Sequence, residues 1–308
     1  MVSLGEFVIE NVFGDWSNVD WSEFTRISDF KWVVGKTPFS QIQFPVAMGL
    51  GYILSVYLLQ AYMRDRKPFT LKAVTFIHNM FLCLLSLSMF LGAAYGAALK
   101  LQNQGFFDGW LCEQDAKNVT GPLFYWSYIF YLSKFYEYID TYLLVLKKKP
   151  VIFLHEYHHF IMPFVCYAGL EGKWCMALWT STFWNSFVHV FMYFYYAVST
   201  IGYNPWWKKY LTMLQIYQFV SGVVYTTAFL WFYFQKVDWV QNSSSFTVSV
   251  TQGCIGDLRA IAFMYAVNCS FLVLFVKFYY DTYSSQKKRE PKVTNGGPNS
   301  EASKQKQM

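Results

Sequence analysis

Residues 122–146 read PLFYWSYIFYLSKFYEYIDTYLLVL, an apolar and aromatic run interrupted by Lys134, Glu137 and Asp140. Its length suits one crossing of a hydrocarbon core, which takes about 20 mostly apolar residues. At about 100° per residue, Lys134, Glu137, Asp140 and Thr141 fall within about a third of the helix circumference and share one face. Charge in hydrocarbon is costly and by default marks a cavity or a functional site. The stretch predicts a helical membrane protein with a polar interior.

Working outward, six more apolar runs qualify as spans, at 44–63, 73–98, 151–169, 175–199, 210–234 and 256–280. The 308 residues are 55% hydrophobic and only 14% charged, against about 25% charged in ordinary soluble domains. The expected organisation is an amino-terminal segment 1–43, a seven-span membrane domain 44–284 and a disordered tail 285–308 rich in Lys, Gln, Ser, Asn and Gly. The first 40 residues carry scattered acids and no basic region before an apolar core, so no cleavable signal peptide is expected. The formal charge of +6 comes from short clusters between spans, which argues against nucleic acid as a partner. Those clusters (Arg64, Arg66, Lys67 and Lys72; Lys147 to Lys149; Lys208 and Lys209; Lys287, Lys288 and Arg289) occupy alternate connections. The positive-inside rule then puts the amino terminus in the lumen and the carboxyl terminus in the cytosol. Sequons at Asn118 and Asn242 fall in lumenal connections and are candidate glycosylation sites; a third match, Asn268, lies inside span seven and shows how cheaply the pattern arises. Cys112 and Cys254 lie in the two long lumenal loops and are expected to pair in that oxidising compartment. Cys175 is the competing partner, and Cys83, Cys166 and Cys269 lie within spans. Lys304 and Lys306 match a dilysine signal for the endoplasmic reticulum on a cytosolic tail.

Polar residues recur at one level in several spans. Span four carries His155, His158 and His159, spaced i, i+3 and i+4 on one face. Span five carries Asn185 and His189, with Met192, Tyr193 and Tyr196 on the same stripe, and span six carries Thr212, Gln215 and Gln218. Counted inward from the cytosolic ends, Gln215, His158, Glu137 and His189 lie about 9, 12, 15 and 16 Å deep. His78 of span two is about 9 Å deep by the same count. A single intramembrane Asn, Gln or Thr commonly serves as hydrogen-bonding glue, which leaves Thr212 and Gln218 open. Lys134 with Glu137 or Asp140 fits a structural ion pair as well as catalysis. Three clustered imidazoles are too costly as packing alone. The basic connections ring the cytosolic mouth, where a phosphate-rich substrate could dock.

Three chemistries fit histidines in a membrane. His155-Glu156-Tyr157-His158-His159 contains the letters H-E-x-x-H of zinc peptidases, but it lacks a third ligand from an Asp motif on another span. Membrane di-iron enzymes resemble one another in three histidine boxes, and this chain has one. The third chemistry is nucleophilic and acid–base catalysis by imidazole on an acyl thioester. A non-enzymatic seven-span receptor or transporter shares the topology without needing clustered histidines.

Four ordered motifs carry a resemblance: Lys134-x-x-Glu137-x-x-Asp140-Thr141, His155-x-x-His158-His159, Asn185-x-x-x-His189 running into Met192-Tyr193-Phe194-Tyr195-Tyr196, and Thr212-x-x-Gln215-x-x-Gln218. In order and spacing the chain resembles the ELO family of very-long-chain fatty acid elongases, over about residues 44–284. Glu156 departs from that pattern, standing where an apolar or aromatic residue is usual. The resemblance implies an all-α integral membrane fold of seven transmembrane helices, six of them enclosing a narrow acyl tunnel open to the cytosol. It implies condensation of acyl-CoA with malonyl-CoA to 3-ketoacyl-CoA, CO2 and CoA, in membrane lipid, with no metal or redox cofactor. By it, His158 attacks the thioester to form an acyl-imidazole, while His189, His155 and His159 handle protons or polarise carbonyls. Lys134, Glu137, Asp140, Asn185, Tyr193, Gln215 and Gln218 would bind or position. The implied partners are the ketoacyl-CoA reductase, the dehydratase and the enoyl-CoA reductase of the elongation cycle.

Overall fold

The computed structural model describes residues 17–234, 237–242, 245–250 and 253–284, and for residues 237–250 the backbone alone. Its helices are α1 (Gln43–Met63), α2 (Lys72–Phe106), α3 (Pro122–Tyr136), α4 (Tyr138–Leu146), α5 (Phe153–Glu171), α6 (Cys175–Trp179), α7 (Asn185–Thr200), α8 (Lys208–Phe234) and α9 (Leu258–Tyr279). They join into seven rods, because α3 runs into α4 at Glu137 and a π turn, Thr180–Trp184, links α6 to α7. Among the described residues, four helical stretches are long and apolar enough to cross a membrane by length and composition: Gln43–Met63, Lys72–Leu111, Lys208–Phe234 and Leu258–Tyr283. The other three rods are broken by Glu137, by the π turn, or diluted by the histidines of α5. They are also the rods that bear most of the polar motif residues.

Neighbour contacts close a ring in which α2 lies beside α3, α3 beside α5, α5 beside α9, α9 beside α8, α8 beside α7 and α7 beside α2. Helix α1 sits outside it, against α4 and α5, with Tyr52 and Val56 buried and Leu50, Leu54 and Leu58 exposed. The close approach of α2 to α3 depends on Gly92 and Gly96, a small-xxx-small pair. A Cβ on Gly92 would run into the Trp126 indole, and one on Gly96 would stand 2.5 Å from the backbone nitrogen of Leu123.

The ring has a basic end, where Lys147 to Lys149 follow α4, and a disulfide end. There Cys112 and Cys254, 142 residues apart, are joined with their Cα atoms 4.9 Å from each other, while Cys175 stays free and buried. Helix α9 starts from Asp257, whose carboxylate accepts from the backbone N–H of Arg259 at 2.7 Å and binds its guanidinium at 3.0 Å. Residues 17–42 pack on the same end. The hydroxyls of Tyr125, Tyr128 and Tyr131, three residues apart on one face of α3, donate to the carbonyls of Phe24, Pro38 and Phe39 at 2.9, 3.1 and 3.0 Å. Trp32 Nε1 reaches Glu171 at 3.0 Å. This part of the amino-terminal segment belongs to the same body as the ring.

The purely helical expectation is corrected in one place. The connection between α8 and α9 forms an antiparallel hairpin, β1 (Val237–Asn242) with β2 (Ser245–Val250), in register from Val237↔Val250 to Asn242↔Ser245. Period-2 alternation of Phe246, Val248 and Val250 was the available signal. The Ser243 and Ser244 positions of the Asn242 sequon, the tail 285–308 and its Lys304 and Lys306 lie outside the described residues.

Candidate active site

Where α3 meets α4, Ser133 Oγ and Lys134 Nζ both donate to Glu137 Oε1, at 3.0 and 2.7 Å, and the ammonium stands 3.9 Å over the Phe130 ring. Lys134 and Glu137 are each 1% exposed. One helical turn on, Asp140 accepts from His78 Nε2 at 2.8 Å and from the Tyr193 hydroxyl at 2.9 Å. It therefore ties α4 to α2 and α7. Its neighbour Thr141 contacts His155 Nε2 at 2.9 Å and the Tyr52 hydroxyl at 3.0 Å, which fixes the first imidazole of α5 from α4 and α1.

The imidazoles of α5 form a continuous group. Ring centroids are 4.3 Å apart for His155 and His159 and 5.2 Å for His158 and His159. Pro163 lies inside α5 and lacks the N–H that would bond the His159 carbonyl. His189 on α7 brings its ring to 6.4 Å from that of His158. The π turn before α7 is a feature frequent at functional sites, and Asn185 is the first residue after it. Asn185 Oδ1 and His189 Nδ1 are buried without a hydrogen-bond partner, so both offer capacity to something bound there.

Two cavities meet at these residues. The larger, about 440 Å³, is lined by His155, His158, His159, His189, Asp140 and Tyr193, and reaches Lys147 and Lys149 at the basic end. The smaller, about 90 Å³, extends toward the disulfide end past Met162, Val165, Trp174 and Met264. His158, Asn185, Gln218 and Phe219 border both. His158 is thus the histidine at the junction.

Of the residues singled out from the sequence, Asp140, His155, His158, His159, Asn185, His189, Met192, Tyr193, Tyr196, Gln215 and Gln218 line the larger cavity, and Thr141 and Thr212 do not; Gln215 Nε2 also lies 3.7 Å from Met192 Sδ. Lys134 and Glu137 line neither cavity and stand behind the histidines. Glu156 lines neither cavity, and among the described residues no three His, Cys, Asp or Glu side chains gather as a metal-holding group. Thr212 reaches the Tyr283 hydroxyl at 3.4 Å, an interhelical bond. Asn118 donates to Glu113 Oε1 at 3.1 Å. The sequence reading missed the bond of His78 to Asp140 and the support that Tyr52 gives Thr141. Helices α1 and α2 bear no motif, and only depth hinted at His78.

Residues 37–291 match the GNS1/SUR4 family, ELO. The chain is 40% identical over 266 residues to fatty acid elongase sre1 of Dictyostelium discoideum, covering 86% of this chain and 93% of that one. It is 37% identical over 276 residues to fatty acid elongase A of the same organism, covering 87% and 95%. Against very long chain fatty acid elongase 4 of Mus musculus the identity is 31% over 281 residues, covering 85% and 80%.

Proposed function

The chain belongs to the GNS1/SUR4 (ELO) family, and from that membership together with the site we propose that it condenses an acyl-CoA with malonyl-CoA to a 3-ketoacyl-CoA through an acyl-imidazole on His158. The coarser part is already fixed: it is a multi-pass membrane enzyme of fatty acid elongation. The observation that carries the finer part is the position of His158 at the junction of a large cavity with basic residues at its mouth and a small, mainly apolar one. A thioester laid across that junction puts the CoA moiety on the basic side, with Lys147 and Lys149 near its phosphates, and the acyl chain among Met162, Val165 and Met264 in a closed tunnel.

The His158 nitrogen then attacks the thioester carbon. Asn185 and His189, with unpartnered polar atoms at the same place, polarise the carbonyl and orient the imidazole. Lys134 and Glu137 support the histidines from behind, and Gln215 and Gln218 hold the thioester from α8. Malonyl decarboxylation supplies the carbanion and the driving force, so the chemistry needs neither metal nor redox cofactor. The disulfide suits an oxidising lumen and the opposite, basic end suits the cytosol. Both features support a protein of the endoplasmic reticulum membrane with a lumenal amino terminus, where the product would pass to the reductases and dehydratase of the cycle. Acyl-CoA alone should release one CoA per protein in a burst and leave the acyl mass on His158; an adduct that forms only when both substrates are present overturns the two-step route.

A further inference from the structure

Proton accounting for that route leaves one proton unassigned. In the first half, the His158 nitrogen bonds the acyl carbon, the carbon–sulfur bond breaks, and the imidazole proton leaves with the sulfur as the CoA thiol. No proton is gained or lost. In the second half, the malonyl carbon–carboxylate bond breaks to release CO2, and its electron pair forms the new carbon–carbon bond. The carbon–nitrogen bond then breaks with its pair going to His158, which must take up a proton. Each turnover therefore draws one proton from outside the site.

Among the described residues, Asp140 is the only carboxylate lining the larger cavity. Its Oδ1 bonds His78 Nε2 at 2.8 Å, and its Oδ2 lies 4.0 Å from His159 Nε2, whose ring neighbours that of His158. His78 is 5% exposed, stacks on Tyr136, and has Nδ1 buried without a partner. It lies on α2, outside every motif, one turn from Thr75 and next to Asn79, both on the cavity wall. We infer that His78 and Asp140 together hold the proton consumed in the condensation half-reaction and pass it through His159 to His158. The inference rests on the acyl-imidazole route proposed above.

The other titratable groups facing Asp140 are Tyr52 from α1, Tyr136 from α3, Glu137 and Lys147 flanking it in its own rod, His155 and His159 from α5, and Tyr193 and Tyr196 from α7. Tyrosines and lysines do not ordinarily exchange protons near neutrality, whereas imidazole does. Glu137 lines neither cavity and is ion-paired with Lys134, and His155 contacts Thr141. His78 is the imidazole in direct contact with the Asp140 carboxylate.

The test separates the two half-reactions in full-length protein reconstituted in lipid. His78→Gln keeps a donor toward Asp140 but removes the imidazole. Its CoA burst with acyl-CoA alone should stay within about twofold of the unaltered protein's, while condensation on adding malonyl-CoA slows by about 10²-fold, a general-acid effect. The pH profile of condensation should change, and imidazole in the buffer should reverse the loss. A burst and a condensation rate that fall together with the pH profile unchanged mean that His78 only holds the fold, and overturn the inference; so does a condensation rate that does not fall. If His78→Gln does not fold, condensation by the unaltered protein in deuterated water decides: a slower phase supports the relay and an equal one overturns it. Absence of any burst in the unaltered protein overturns the acyl-imidazole route itself, and the relay with it.

Discussion

Glu113, 4% exposed at the disulfide end, accepts from Lys100 Nζ at 2.9 Å, from the backbone N–H of Asp115 at 3.0 Å and from Asn118 Nδ2 at 3.1 Å. Glu137, 1% exposed beside the histidines, has a lysine too, but both its donors fall on Oε1 and Oε2 is left without a partner. The two carboxylates differ little in burial and both are paired. Glu113 has both oxygens in use, whereas Glu137 keeps one in hand, as do Asn185 and His189 on the cavity wall; the disulfide end has unpartnered atoms of its own in Glu23 Oε2, Trp174 Nε1 and Trp179 Nε1. Buried polar atoms ordinarily find partners, so an amide and an imidazole left without them on the wall of a cavity mark where a ligand is expected. Among the paired carboxylates, complete pairing goes with the structural one, Glu113, and incomplete pairing with the one behind the histidines, Glu137.

The contrast breaks most sharply at His158. His158→Gln should lower condensation by about 10⁴-fold, the upper range for removal of an acid–base group, and abolish the CoA burst. It should leave the melting temperature in detergent almost unchanged, because the side chain borders two cavities and not a packed core. A large stability loss with residual activity would mean that the histidine level is structural after all.

Much of this site was legible in the sequence because charge in a span is rare, and spacing of three and four residues fixes a helix face. Lys134, Glu137 and Asp140 share a rod at such spacing, and so do His155, His158 and His159. What was not legible is rotation and break. Nothing local tells that Glu137 interrupts its helix, that a π turn precedes Asn185, or that α2 turns His78 toward Asp140 instead of toward lipid. Each depends on contacts between helices distant in sequence. The pairing of Cys112 with Cys254 was legible for the opposite reason, since two long loops on one side left few alternatives.

The disulfide sharpens the comparison next. Replacing Cys112 and Cys254 together by Ser should cost about 5 kcal/mol in the chain-entropy model, given so long a loop. Activity per folded molecule should stay close to that of the unaltered protein. Alkylation and peptide mapping without reductant gives the check: a Cys112 peptide that alkylates freely in native membranes rules the bridge out. Activity falling in step with stability would mean that the two ends are coupled.

Glu113→Gln gives the smallest of these effects and the most direct view of the difference between the ends. The amide can still accept from Asn118 and from the Asp115 N–H, so the geometry survives. The loss is one charge, which leaves the Lys100 ammonium, 9% exposed, buried opposite a neutral group. Breaking one side of a buried ion pair costs about 3 kcal/mol, and thermal unfolding should report it. Adding Lys100→Met removes the stranded ammonium, and well-packed apolar replacements of buried pairs are often neutral. The double variant should therefore recover most of the loss, with condensation unchanged throughout. The paired change Lys134→Met with Glu137→Gln should behave otherwise, recovering stability without recovering condensation, because Lys134 and Glu137 stand behind the imidazoles whose polar capacity the reaction uses. If both double variants keep full activity, the difference in pairing between Glu113 and Glu137 does not distinguish the chemical carboxylate from the structural one.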